Sequence, residues 1–111
     1  MLSMEPAGYE INLQGENGAT ALHVSGELDL AGADRFCLDL CRWAEQVPGE
    51  VDLDLRDLRF VDSCGMQALV RARDELSRAG RNLRVIEASR PVRRVFAIAG
   101  LAEMFGIDAP Q

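Results

Sequence analysis

Val51-Asp52-Leu53-Asp54-Leu55-Arg56 alternates apolar and charged residues without a slip, and the chain then runs through Asp57-Leu58-Arg59-Phe60-Val61 into Asp62-Ser63-Cys64-Gly65-Met66. A period of two belongs to a strand with one buried face and one wetted face. A parallel strand covered on both sides would instead read as a continuous apolar run. The central sheet is therefore expected to carry helices on one side and water on the other. Past Ser63, the residues Met66, Leu69, Ala72 and Leu76 recur at helical spacing until Gly80, so a strand gives way to a helix near the Asp-Ser pair.

Upstream, Tyr9, Ile11 and Leu13 alternate with polar residues, as do Thr20, Leu22 and Val24. These are two strands joined by a hairpin loop at Gly15-Glu16-Asn17-Gly18. From Ala31 to Gln46 a stripe of Phe36, Leu40, Trp43 and Val47 predicts an amphipathic helix closed by Pro48-Gly49. Downstream, Leu83 and Val85 fit a fourth strand. Ser89-Arg90-Pro91 then opens a last helix, with serine as cap and proline in the first turn, that buries Val92, Val95, Phe96 and Ala99 before Gly100. The elements make a two-layer α/β domain: a mixed β-sheet, built from an antiparallel hairpin plus β-α-β crossovers, with helices packed on one face. One domain is expected over residues 7–108, with short tails at 1–6 and 109–111.

Composition narrows the function. The 111 residues carry a net charge of −6, which disfavours nucleic acid, whose phosphates need a clustered basic surface, and disfavours an acidic protein partner. All 12 basic residues are arginine, so no lysine is available as a Schiff base or phosphate ligand. The N-terminal stretch has no export signal and no apolar run is long enough to span a bilayer, so a cytoplasmic protein without membrane insertion is expected. Three cysteines make a disulfide framework improbable. Cys37 and Cys41 stand one helical turn apart, but His23 is remote and Cys-x-x-Cys is missing, so both read as buried small hydrophobes and no metal is expected. His23 has the polar parity of its strand and reads as a surface residue. The cluster Arg90, Arg93 and Arg94 reads as the solvated face of the last helix.

At its plainest, Ser63 is an N-cap whose oxygen accepts a backbone N–H, worth about 1 kcal/mol. The same position also suits a phosphate, because unpaired N–H groups and the positive end of the helix dipole converge there. Phosphorylation would add nearly two negative charges beside Asp62 while leaving the fold intact. Docking would suffer. Like charges about 4 Å apart repel by roughly 4 kcal/mol at an effective dielectric of about 20. With half of that screened, a phosphate facing one partner carboxylate weakens binding roughly 100- to 1000-fold.

The combination of Gly26-Glu27-Leu28-Asp29 after a strand, Leu53-Asp54-Leu55 leading to Phe60-Val61-Asp62-Ser63-x-Gly65, and Val92-Arg93-Arg94-Val95-Phe96 with Gly100-Leu101 resembles the anti-sigma factor antagonist family. That family's module is the sulfate transporter and anti-sigma factor antagonist (STAS) domain, and the resemblance spans Tyr9 to Ile107. It implies a small cytosolic protein that binds an anti-sigma factor, often a serine kinase, and so frees a sigma factor. It also implies that the kinase phosphorylates a serine at the start of the second helix and that a phosphatase resets the switch. Position by position, Ser63 matches the phospho-acceptor, Asp62 the acidic residue before it and Gly65 the glycine opening the helix. Asp29 matches an acidic residue near the acceptor that takes part in partner recognition, and it equally suits the role of cap for the first helix. Cys64 departs from the usual Ser or Thr, and Met66-Gln67 from Leu-Gly. Asp29, Asp62, Ser63, Cys64, Gly65 and Gln67 form the expected partner-binding surface, on a monomer or weak dimer.

Two other classes of function compete. Cys64 at a helix N-terminus could be a nucleophile, but Arg71 follows after six intervening residues and cysteine phosphatases resemble Cys-x5-Arg. No Gly-x4-Gly-Lys loop occurs, so nucleotide hydrolysis and a bound cofactor are not expected, and the chain is read as a non-enzyme. Alternatively, STAS-like modules serve as docking subunits of transport or signalling assemblies, with no phosphorylation.

Overall fold

The structure is a computed structural model that describes residues 8–16 and 19–107. The chain runs β1 (Tyr9–Glu16), β2 (Ala19–Leu28), α1 (Leu30–Ala44), β3 (Val51–Leu55), β4 (Leu58–Val61), α2 (Ser63–Arg78), β5 (Leu83–Ala88) and α3 (Arg90–Ile98), then a 3-10 turn at Glu103–Phe105. The sheet order is β1-β2-β3-β5, with β4 also paired to β2. β1 lies antiparallel to β2, and the other pairings are parallel. This is the mixed sheet expected from a hairpin followed by crossovers. β1 extends to Glu16, so Gly15 and Glu16 stand in the ladder and not in the loop. Asn17-Gly18 and the tails lie outside the described residues.

One side of the sheet is sealed. Leu22, Val24 and Leu28 of β2, Val51, Leu53 and Leu55 of β3, and Leu83 and Val85 of β5 are buried, together with Phe36 and Leu40 of α1, Leu69 and Ala72 of α2 and Phe96 of α3. Each large side chain so buried contributes roughly 1.5–3 kcal/mol relative to exposure. Trp43 and Val95 are half-buried at the margin of this core, and Ala99, expected inside, is exposed at the C-cap of α3, where it lines an open gap between α2 and α3. Arg81 closes the bottom of the molecule: its guanidinium donates to the carbonyls of Gly49 (2.8 Å), Ala44 (3.2 Å) and Val47, tying β5's approach to the end of α1.

The run Leu53 to Val61 is two strands and not one. β3 pairs with the first half of β2 at Leu22↔Leu53, and β4 pairs with the second half at Gly26↔Leu58 and Leu28↔Val61. Between Gly26 and Glu27 the register slips, so Arg59 is left over and the burial along β4 is in, out, out, in. A bulge of this kind destroys the period of two that sequence reading relies on. With β4 beside it, β2 stays a strand through Gly26-Glu27-Leu28.

Asp54 overturns the expectation of a uniformly wetted second face, being only 3% exposed. Arg56 grips it with Nε (2.9 Å) and Nη2 (2.7 Å) on Oδ2, while the Arg56 backbone N–H donates to Oδ1 at 3.0 Å. Burial alone would push this carboxyl up, but the hydrogen bonds and charge of Arg56 outweigh it and hold the pKa below its ordinary value. His23, expected at the surface, has a side chain only 14% exposed and bonds Asp57 at 2.6 Å. Ser89 sits at the N-cap of α3 but does not cap it; its hydroxyl donates to the Leu58 carbonyl at 2.9 Å and so docks α3 onto β4.

Candidate functional site

Two helices begin side by side at the end of the sheet where β2 and β4 stop. α1 starts after Asp29, whose Oδ1 accepts from the Ala31 N–H at 3.2 Å. α2 starts after Asp62, whose Oδ1 accepts from the Gly65 N–H at 2.8 Å. The second oxygen of Asp62 reaches across and accepts from the Leu30 N–H at 3.1 Å. A single carboxylate thus serves the first turns of both helices, satisfying two N–H groups that would otherwise have no partner. Asp62, and not Ser63, is the N-cap of α2.

Gly65 explains how the two starts come so near. A Cβ at this position would lie 2.2 Å from the Leu28 carbonyl oxygen, so only glycine lets the first turn of α2 seat against the end of β2. The backbone agrees, since the Asp62 N–H donates to that same Leu28 carbonyl at 3.2 Å. Ser63 follows as the first residue inside α2 and is exposed. Its hydroxyl stands on the solvent side of a turn whose cap is already supplied, at the positive end of the helix dipole.

The sequence-predicted residues are therefore brought together. Asp29 and Asp62 are half-buried in capping, Ser63 and Gln67 are exposed one turn apart, Gly65 is buried, and Cys64 is half-buried against the core. Arg71 donates to the Ala33 carbonyl at 3.4 Å, which engages it with α1 and not with an anion beside Cys64. Cys37 and Cys41 are half-buried rather than buried, and burial together with the neighbouring Cys37 pushes the Cys41 thiol up to about 11. No cluster of His, Cys, Asp or Glu fit to hold a metal occurs among the described residues.

Sequence reasoning missed an apolar groove that opens from Ser63 between α2 and α3. It has a volume of about 370 Å³ and is lined by Ser63, Met66 and Val70 on one side and Val95, Ile98 and Leu101 on the other. Ile98 is 80% exposed and Leu30, beyond Asp62, is 72% exposed. The available signal was Ile98 itself, which falls outside the core stripe of Val92 and Phe96.

An α/β sheet with a sealed helical face, and a serine exposed on a doubly tied helix start beside an apolar groove, define the class of fold and site. The chain belongs to the STAS domain family, whose model matches residues 10–109. Among solved structures it is similar to an anti-sigma factor antagonist from Mycobacterium paratuberculosis, with 21% identity over 96% of this chain and 90% of that one and a TM-score of 0.73. It is also similar to the anti-sigma factor antagonist SpoIIAA in its unphosphorylated form, with 25% identity, coverage of 85% and 84%, and a TM-score of 0.58. The phosphorylated form of the Bacillus cell fate determinant SpoIIAA matches with 21% identity, coverage of 85% and 86%, and a TM-score of 0.55. No helix among the described residues is long and apolar enough to cross a membrane.

Proposed function

We propose that this chain is an anti-sigma factor antagonist whose unphosphorylated form binds an anti-sigma factor, itself a serine kinase, and so frees a sigma factor. Phosphorylation of Ser63 by that kinase ends the binding, and a phosphatase restores it. The protein acts in the cytoplasm by binding and carries no catalytic group or cofactor of its own. The observation that carries this reading is the exposed Ser63 in the first turn of α2, with Asp62 next to it committed to capping. A phosphate there adds charge to the docking surface without entering the core, and the helix dipole tolerates it. Family membership and the similarity to a protein solved in unphosphorylated and phosphorylated forms support the same role.

The test is mass spectrometry of the protein incubated with ATP and the ATP-binding anti-sigma factors of its own cell. Phosphate is expected on Ser63 and lost in Ser63→Ala. Phosphate found only at other residues, or none with any of these kinases, contradicts the proposal.

A further inference from the structure

The groove between α2 and α3 is unlike the rest of the surface. Its walls are apolar, its outermost side chain, Ile98, is 80% exposed, and no segment of the described chain fills it. Charge around it is lopsided. On the α2 side, Ser63 and Gln67 are neutral, Asp62 keeps its charge at the inner end with both oxygens turned to backbone N–H groups, and Asp74, one turn beyond Val70, has Arg73 at 3.9 Å. On the α3 side, Arg90 and Arg94 are exposed and belong to no ion pair among the described residues. Arg94 stands one helical turn before Ile98 and therefore beside it on the helix surface. On a chain of net charge −6, the exposed surface of α3 beside the groove, with Arg90 and Arg94 and no acidic residue, is a local exception of positive sign.

We propose that this groove receives an amphipathic helix of the partner protein. Its apolar residues, spaced i, i+4 and i+7, enter between Val70 and Ile98, and its flanking carboxylates face Arg94 and Arg90. This deepens, and rests on, the reading of the Ser63 surface as a docking site. Apolar side chains from two helices, one wall from each, suit a third helix, and the arginines of α3 select one that is acidic along its α3 edge. The switch then acquires a target, because a phosphate on Ser63 stands at the mouth of a groove occupied by an acid-bearing helix.

The experiment uses the full chain, labelled with 15N, and two synthetic helical peptides. Each carries three leucines at i, i+4 and i+7; one is flanked by glutamates and its twin by lysines. The glutamate peptide is expected to bind saturably and to shift the amides of Val70, Val95, Ile98 and Ala99. Two exposed charge pairs give it an advantage of about tenfold over the twin. Ile98→Glu, at an exposed position that leaves folding intact, should abolish the binding, and Arg94→Glu should erase or reverse the preference. The inference is overturned if neither peptide saturates, if the shifts map away from α2 and α3, or if the twin binds as well. It is equally overturned if dodecanoate fills the groove more tightly than either peptide, or if the free protein is a dimer that already covers it. Ser63→Ala keeps peptide binding if the inference holds. A failure of phosphorylation therefore strikes the switch alone, and a failure of the peptides strikes the groove alone.

Discussion

Asp62 does with one carboxylate what two helices usually do separately, and it can because β2 and β4 end at neighbouring points of the sheet. Its two oxygens hold the N–H groups of Leu30 and Gly65, one from each helix. That leaves Ser63 with its hydroxyl unclaimed by the cap, which is what a modification site requires. The arrangement also has a cost that can be measured. Asp62→Ala removes two capping interactions of about 1 kcal/mol each, so urea unfolding should show a loss of roughly 2 kcal/mol; a loss under about 0.5 kcal/mol would contradict the shared cap. The Asp-Ser pair and Gly65 stand out in the sequence, but the bond from Leu30 to Asp62 joins residues 32 apart and no local pattern announces it. Ser63 read as the cap because serine and aspartate suit that place equally, and the local bond from the Gly65 N–H gives it to Asp62.

β3 and β4 show where periodicity succeeds and where it stops. Val51, Leu53 and Leu55 face the core as their spacing requires, while the bulge at Arg59 scrambles the four residues of β4 and conceals a strand. Asp54 has the parity of a wetted residue yet lies buried, because Arg56, two residues on, folds back over it with a bidentate contact. Arg56 holds this carboxyl below its ordinary value despite burial, so the folded state favours the ionised form. The unfolded chain binds that proton more readily, so the stability from this pair is fully present above the ordinary value of 3.8 and disappears as pH falls through the lower folded value. Asp54→Asn should therefore destabilise by about 1–2 kcal/mol at pH 7. Its unfolding curve should converge with that of the wild type in strong acid. A gap that persists unchanged on acidification would assign the loss to packing and not to charge.

Across the molecule, layers and element order were legible because one clean alternation in the central strand and three apolar helical stripes, each bounded by glycine, leave few ways to cover a sheet on one side. The groove between α2 and α3 was not, since it arises from the spacing of two helices and its residues have the same composition as a core. The proposed docking face therefore combines a part visible in sequence, Ser63 and its neighbours, with a part that exists only once the chain is folded. In the proposed reading, both bear on how a partner is held and released. Calorimetric titration of the cognate anti-sigma factor with wild type, with Ser63→Asp and with the Ser63-phosphorylated protein decides whether charge at this hydroxyl controls docking. Both charged forms should keep the melting temperature of the wild type and bind roughly 100-fold more weakly or worse. Undiminished affinity in the phosphorylated protein would contradict the switch.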